Sequence, residues 1–225
     1  MFEGKYNKTL TVILVIVIVA IVALLGVLVF NYIKNAKDSK QASDFVDEYQ
    51  GNITTTEDNT TDENQNELGN IDMNSIVDDS AVAGTNRGKK KYKGYDVLGT
   101  MKIPSIKLSQ PILEQNSAGA LNAGLILLYP KDNLNKPGNS VIQGHNYRNG
   151  KFFSNLKKVS NGDKVTVSDY TGKTLTYEIY NIFEAASTDT SFYNRDTNGL
   201  AELTLSTCTD ASNDVRTIVF ARQVQ

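Results

Sequence analysis

Twenty-one consecutive uncharged residues, LTVILVIVIVAIVALLGVLVF from Leu10 to Phe30, constrain this chain more than any other feature. As a helix rising about 1.5 Å per residue, such a run crosses a hydrocarbon core of about 30 Å. A cleavable signal has a shorter apolar stretch and small residues at its exit, whereas this run leaves through VLVFNYIKNAKD. The reading is an uncleaved transmembrane helix over residues 9–30, behind a short N-terminal segment, 1–8. Positive charge does not orient it, since Lys5 and Lys8 precede the run and Lys34, Lys37 and Lys40 follow.

Beyond the span the chain is segregated by charge. Residues 38–79 hold twelve acids and one base, Lys40, with scattered Ile and Val but no apolar period. A stretch of that kind cannot bury enough surface to offset its ordering entropy. Residues 31–94 therefore read as an acidic flexible linker with a basic end, RGKKKYKGY, itself read as a solvated junction. Its root-mean-square reach is on the order of 45 Å, enough to displace a domain from the bilayer. The Asp-rich DNTTDENQNELG within it lacks the Gly and the final Glu that a calcium loop needs, so that site is rejected. Residues 81–225 carry 18 bases against 12 acids, but the net charge of the chain is −2, which leaves no field to hold nucleic acid.

The region from Tyr95 to Gln225 is the size of one ordinary domain. Its apolar residues alternate, giving strands at Val97–Ile103, Asn139–Gly144, Asp163–Ser168, Thr174–Phe183, Glu202–Cys208 and Arg216–Val224. Turn signals separate them at KPGN, NGD and TGK, and only KFFSNLKK has a short helical spacing. The expectation is an all-β domain, a closed or nearly closed barrel.

There is one His, His145, and one Cys, Cys208, so no disulfide framework and no Cys/His structural zinc site is available within the chain. Taken alone, Cys208 reads as a small buried hydrophobe, and Arg216 as a surface ion pair. Their setting changes this. His145 and Cys208 each end a strand and open a polar loop, and Arg216 begins the returning strand eight residues after Cys208. A thiolate attacks a carbonyl, a guanidinium holds the developing oxyanion and an imidazole protonates a departing amine, which together make acyl transfer.

These residues resemble the sortases, membrane-anchored cysteine transpeptidases of Gram-positive bacteria. The resemblance runs through MKIPSIKLSQPIL, PGNSVIQGH, FFSNLKKVSNGDKV and LTLSTC followed by Arg216, and covers about Val97 to Gln225. It implies an eight-stranded β-barrel with short helices, Cys208 as nucleophile, His145 as general acid and base, Arg216 as carbonyl and oxyanion ligand, and Thr207 lining the peptide groove. It also implies an N-terminus inside the cell and a catalytic domain outside. The expected partners are secreted proteins bearing a Leu-Pro-X-Thr-Gly-like sorting signal, and a peptidoglycan precursor amine. No cofactor is expected; Asp189, Asp196 and Glu202 are too weak a set to assign calcium. None of the four prolines follows an Asp and the chain ends at Gln225 without a second span, so the lidded pilin-polymerising type is not expected, and A-, B- and D-like forms stay open. Two other readings compete: a tethered noncatalytic β-barrel binding module, and a cysteine peptidase that only hydrolyses. Papain-like peptidases place Cys before His, whereas here His145 precedes Cys208 by 63 residues.

Overall fold

A computed structural model of the chain describes residues 3–54, 89–209 and 213–224. It has two compact units, Met1–Gln41 and Ala42–Gln225, whose boundary falls inside the first helix.

That helix, α1, spans Glu3–Thr54. Its apolar side chains from Leu10 to Phe30 are exposed, and among the described residues it is the one helix long and apolar enough to cross a membrane. The helix does not give way to a linker at residue 31, which corrects the expectation over residues 31–54. No Pro or Gly interrupts the chain between Asn31 and Gln50, so nothing in the backbone forces a stop. The acids of this stretch flank a short apolar face, Ala42, Phe45, Val46 and Tyr49, at the i, i+3, i+4, i+7 spacing of one helix side. Ala42, Val46 and Tyr49 are buried and Phe45 is half-buried. Of the rest of the expected linker, 55–88 lies outside the described residues, while 89–94 is ordered and its Lys91–Tyr92 forms a strand, a second correction to the expectation.

In the second unit, nine strands make one sheet: β1 (Lys91–Tyr92), β2 (Tyr95–Ile103), β3 (Leu108–Leu113), β4 (Leu125–Tyr129), β5 (Gly138–Gln143), β6 (Lys164–Asp169), β7 (Thr174–Ala186), β8 (Ala201–Cys208) and β9 (Val215–Gln223). Their order is β1-β2-β3-β4-β5-β8-β9-β7-β6, and β2 also pairs with β6, so the eight strands β2 to β9 close into a barrel. Inward-pointing Met101, Ile112, Leu125, Ile142, Val167, Leu205 and Val219 fill it, with Phe153 and Leu156 from the segment after β5.

Two strands escape the alternation rule for identifiable reasons. The β3 strand carries Pro111, which removes a ladder donor and lowers its strand signal. The β4 strand reads LILLY without alternation because both faces are covered: Leu125 and Leu127 face the barrel interior, while Ile126 joins an outer apolar cluster with Val97, Leu113 and Tyr92. That outer cluster also seats a six-residue helix, α2 (Ala118–Ala123), through Ala120 and Ala123, and is closed by Ala42, Phe45 and Tyr49 of α1. The basic run is not simply solvated: Lys89 pairs with Glu114 at 2.8 Å, Lys91 with Asp96 at 2.8 Å, and Lys90 reaches Glu48 of α1 at 3.3 Å. Arg87 and Gly88 lie outside the described residues.

Candidate active site

Strands β5, β8 and β9 are consecutive in the sheet, and each brings one functional group to the same end of the barrel. The β5 and β8 strands run parallel with Gln143 opposite Ser206, so His145 and Cys208 each follow two residues beyond matched positions. The β8 and β9 strands run antiparallel with Cys208 opposite Arg216. Cys208 therefore ends the middle strand, flanked by the imidazole strand on one side and the guanidinium strand on the other.

Cys208 is half-buried and unpaired with any other cysteine. Arg216 Nη1 donates to its sulfur at 2.8 Å. The backbone is fixed around the sulfur: Asn146, next to His145, donates from Nδ2 to the Cys208 carbonyl at 2.8 Å. Gly144 N–H donates to the Ser206 carbonyl at 3.2 Å. Thr207 is buried, and its hydroxyl donates to the Gly144 carbonyl at 2.7 Å. That hydroxyl is engaged between strands, tying the Cys208 strand to the residue before His145, rather than facing a groove.

Sequence reasoning passed over the partners of His145. Its Nε2 donates to Asn122 Oδ1 at 3.0 Å, and the Tyr147 hydroxyl donates to the same oxygen at 2.8 Å. The Tyr147 ring stacks on the imidazole with centroids 4.7 Å apart. Asn122 belongs to α2, whose signal was present in SAGALNAG: Ser117 caps it, its Oγ accepting from Ala120 N at 3.2 Å, and Gly124 ends it. Burial, and secondarily the positive charge of Arg216, hold the His145 pKa below its ordinary 6.5.

Beside Arg216 opens a polar cavity of about 190 Å³, lined among others by Gln143, Ser206, Asp189, Phe192 and Tyr193. The loop between β7 and β8 forms one wall, and Arg195 anchors it. The Arg195 guanidinium lies 3.9 Å from the Phe220 ring centroid and donates to Glu202 Oε2 from Nε at 3.0 Å and Nη2 at 2.8 Å. Glu202, 1% exposed, also accepts from Tyr180 at 2.8 Å and from Arg222 at 2.7 Å, so it is an internal counter-ion. Asp189 and Asp196 accept backbone N–H groups two residues on, closing local turns. Among the described residues no group of three or more His, Cys, Asp or Glu is placed to hold a metal ion. A larger cavity, about 460 Å³, lies near Leu98, Glu114, Lys131 and Asp132, and none of the three strand-end groups lines it.

A thiol flanked by an imidazole and a guanidinium, on three neighbouring strands of a closed barrel, is equipped for acyl transfer through cysteine. Comparison with known proteins supplies the family. Residues 101–224 match the sortase domain, and the chain belongs to the sortase family. It is 27% identical over 190 residues to Sortase A of Bacillus anthracis, covering 79% of this chain and 83% of that one. Among solved structures it is similar to Sortase A from Corynebacterium diphtheriae, with 31% identity and a TM-score of 0.53. That match covers 58% of this chain and 62%, less than two thirds, of the other. A Clostridium perfringens Sortase D5 transpeptidase is similar at 26% identity and a TM-score of 0.52, covering 58% of this chain and 80% of its own.

Proposed function

We propose that the chain is a cysteine transpeptidase that cleaves an LPXTG-like sorting signal of secreted proteins and passes the acyl group to a cell-wall amine. The observation that carries this reading is the Cys208 sulfur 2.8 Å from Arg216 Nη1, on the strand next to that of His145, in a chain of the sortase family.

The Cys208 thiolate attacks the carbonyl of the sorting signal's Thr. The electron pair moves to the carbonyl oxygen, and the Arg216 guanidinium, already beside the sulfur, holds the oxyanion through its planar fork of donors. Collapse of this adduct breaks the C–N bond, and protonated His145 gives its proton to the departing amine. The product is a thioester on Cys208. An incoming amine attacks it, His145 takes the amine's proton, and the new amide leaves while the thiolate returns. Asn122 accepts from His145 Nε2 and so fixes the ring plane through this exchange. The cavity beside Arg216 supplies room for the residues before the scissile bond. The absence of an Asp-Pro lid motif favours protein anchoring over pilus polymerisation.

In this reading the apolar part of α1 spans the membrane with its N-terminus inside and the barrel outside, where both substrates meet. Protease added to intact cells then releases a fragment of the domain's size. Mass spectrometry of the chain incubated with a sorting-signal peptide library and an amine tests the chemistry. A thioester on Cys208, amine-dependent product and loss of both in Cys208→Ala support it. Peptide cleavage indifferent to amine points to a hydrolase, and binding without cleavage to a tethered binding module.

A further inference from the structure

The imidazole's partner Asn122 stands on a helix of only six residues, too short to hold its own shape in water. What holds α2 is the outer apolar cluster in which Ala120 and Ala123 are buried with Val97, Leu113 and Ile126. Those strand residues are at most 1% exposed, yet they lie on the outside of the barrel, and the cluster is closed from solvent by Ala42, Phe45 and Tyr49. Phe45 packs on Tyr92 with ring centroids 4.9 Å apart. Polar ties fix the register of the same segment: Asp47 with Lys102 at 2.9 Å, Glu48 with Lys90 at 3.3 Å, and Gln50 Nε2 donating to Ser168 Oγ at 3.3 Å.

We propose that residues 42–50 of α1 are a positioning element of the active site, which completes the seat of α2 and thereby holds Asn122 against the His145 ring. The proposal rests on the reading of His145 as the acid that protonates the departing amine. Phe45 and Tyr49 touch no reacting atom; they act through α2. The step that suffers when the segment is released is proton delivery, not attack by the thiolate.

The test uses the full chain in detergent micelles, with Phe45→Ser/Tyr49→Ser as the releasing variant. Phe45→Leu keeps the apolar bulk and leaves Tyr49 in place, and Asp44→Asn alters an exposed position on the same helix. Hydrogen exchange reads the seat directly at the amides of Leu121 and Gly124, which donate to Ser117 and Ala120. The releasing variant is expected to exchange at least about tenfold faster there, while β8 stays protected. Its thioester formation from an amide-linked peptide is expected to fall at least about tenfold, but from an activated ester, whose leaving group needs little proton assistance, by no more than about threefold. Combined with Asn122→Ala, release is expected to cause no further loss, because both changes remove one and the same interaction. The two control variants are expected to match the wild type.

Unchanged exchange at Leu121 and Gly124, equal losses with amide and ester, or losses that multiply with Asn122→Ala would each overturn the proposal. Should exchange in β8 show that the double substitution unfolds the barrel, Tyr49→Ala alone carries the same comparison. If the wild-type chain forms no thioester with any sorting peptide, the enzyme reading fails separately, and the exchange at α2 still decides whether the segment holds that helix.

Discussion

Replacing Gly144 by Ala tests how tightly the fold seats its imidazole. A Cβ built on Gly144 falls 2.6 Å from Leu125 Cδ2 and 2.8 Å from Phe153 Cδ2, well inside van der Waals contact on two sides. Both neighbours are wholly buried, so neither can swing into solvent. Phe153 is also tied to the site, because its N–H donates to the His145 carbonyl at 3.0 Å. The added methyl must therefore push the Gly144–His145 backbone, the Phe153 segment, or both. Overpacking of this kind costs about 1–3 kcal/mol, which lowers the melting temperature of a domain this size by roughly 2–12 °C. A displacement of several tenths of an ångström at His145 should lower acylation at least about tenfold, since an error of about 1 Å in a catalytic group can cost about a hundredfold. Scanning calorimetry and single-turnover acylation are the assays, with Gly51→Ala as control, because its Cβ meets nothing within 4 Å. Adding Leu125→Ala should return part of the activity although it removes core, since it opens one of the two clashes. A melting temperature within about 1 °C of wild type, with unchanged acylation, would refute the claim that this packing positions His145.

Because His145 is the only histidine, its ring titration can be followed by NMR; the midpoint should lie below 6.5 and rise in Arg216→Gln while staying below 6.5, because burial is the larger cause of the shift. The linked stability has a definite sign: the unfolded ring takes a proton first as pH falls below 6.5, so urea stability should decline from there toward the folded midpoint, and less so in Arg216→Gln. No change of midpoint in that variant would remove Arg216 from the environment of His145. Glu202→Ala should cost about 3–5 kcal/mol in denaturant unfolding, by stranding Arg195 without its counter-ion and loosening the wall that bears Phe192 and Tyr193; a loss below about 1 kcal/mol would show the network to be ordinary surface pairing. An activated ester should partly rescue His145→Ala but not Arg216→Lys to a comparable extent, because the oxyanion forms with either leaving group while a lysine lacks the guanidinium's fork. Equal rescue would mean that the two roles are assigned wrongly.

The three chemical groups were legible because strand-end positions are written in local pattern: alternation ran into Gly144–His145, into Cys208 and out from Arg216. Their convergence needed only the parallel pairing of β5 with β8 and the antiparallel return of β9. The supporting shell was not legible by the same means. Asn122 meets His145 and Tyr147 across 23 and 25 residues of sequence, and no periodicity encodes such a meeting. Thr207 shows a subtler loss: its place beside Cys208 suggests a groove residue, but alternation turns its side chain to the opposite face, where the Gly144 carbonyl accepts its proton. In β4 the pattern failed because covering elements on both faces erase alternation altogether.

The charge segregation carries the last step. An acidic stretch before a basic domain reads as a solvated tether when each is taken separately, since a run of like charges lacks a reason to fold. The structure sets part of one against the other. Asp47 and Glu48 meet Lys102 and Lys90, and the apolar side of the same helical turns covers an outer cluster that the barrel alone would leave wet. Exposed ion pairs are individually weak, so the docking free energy comes mainly from Ala42, Phe45, Val46 and Tyr49, while the charges select the register. That division explains why the segment was illegible as a helix: four apolar residues spread over eight positions look like scatter inside an acidic run. Their helical spacing is present in the sequence, but only the surface that receives them distinguishes it from scatter.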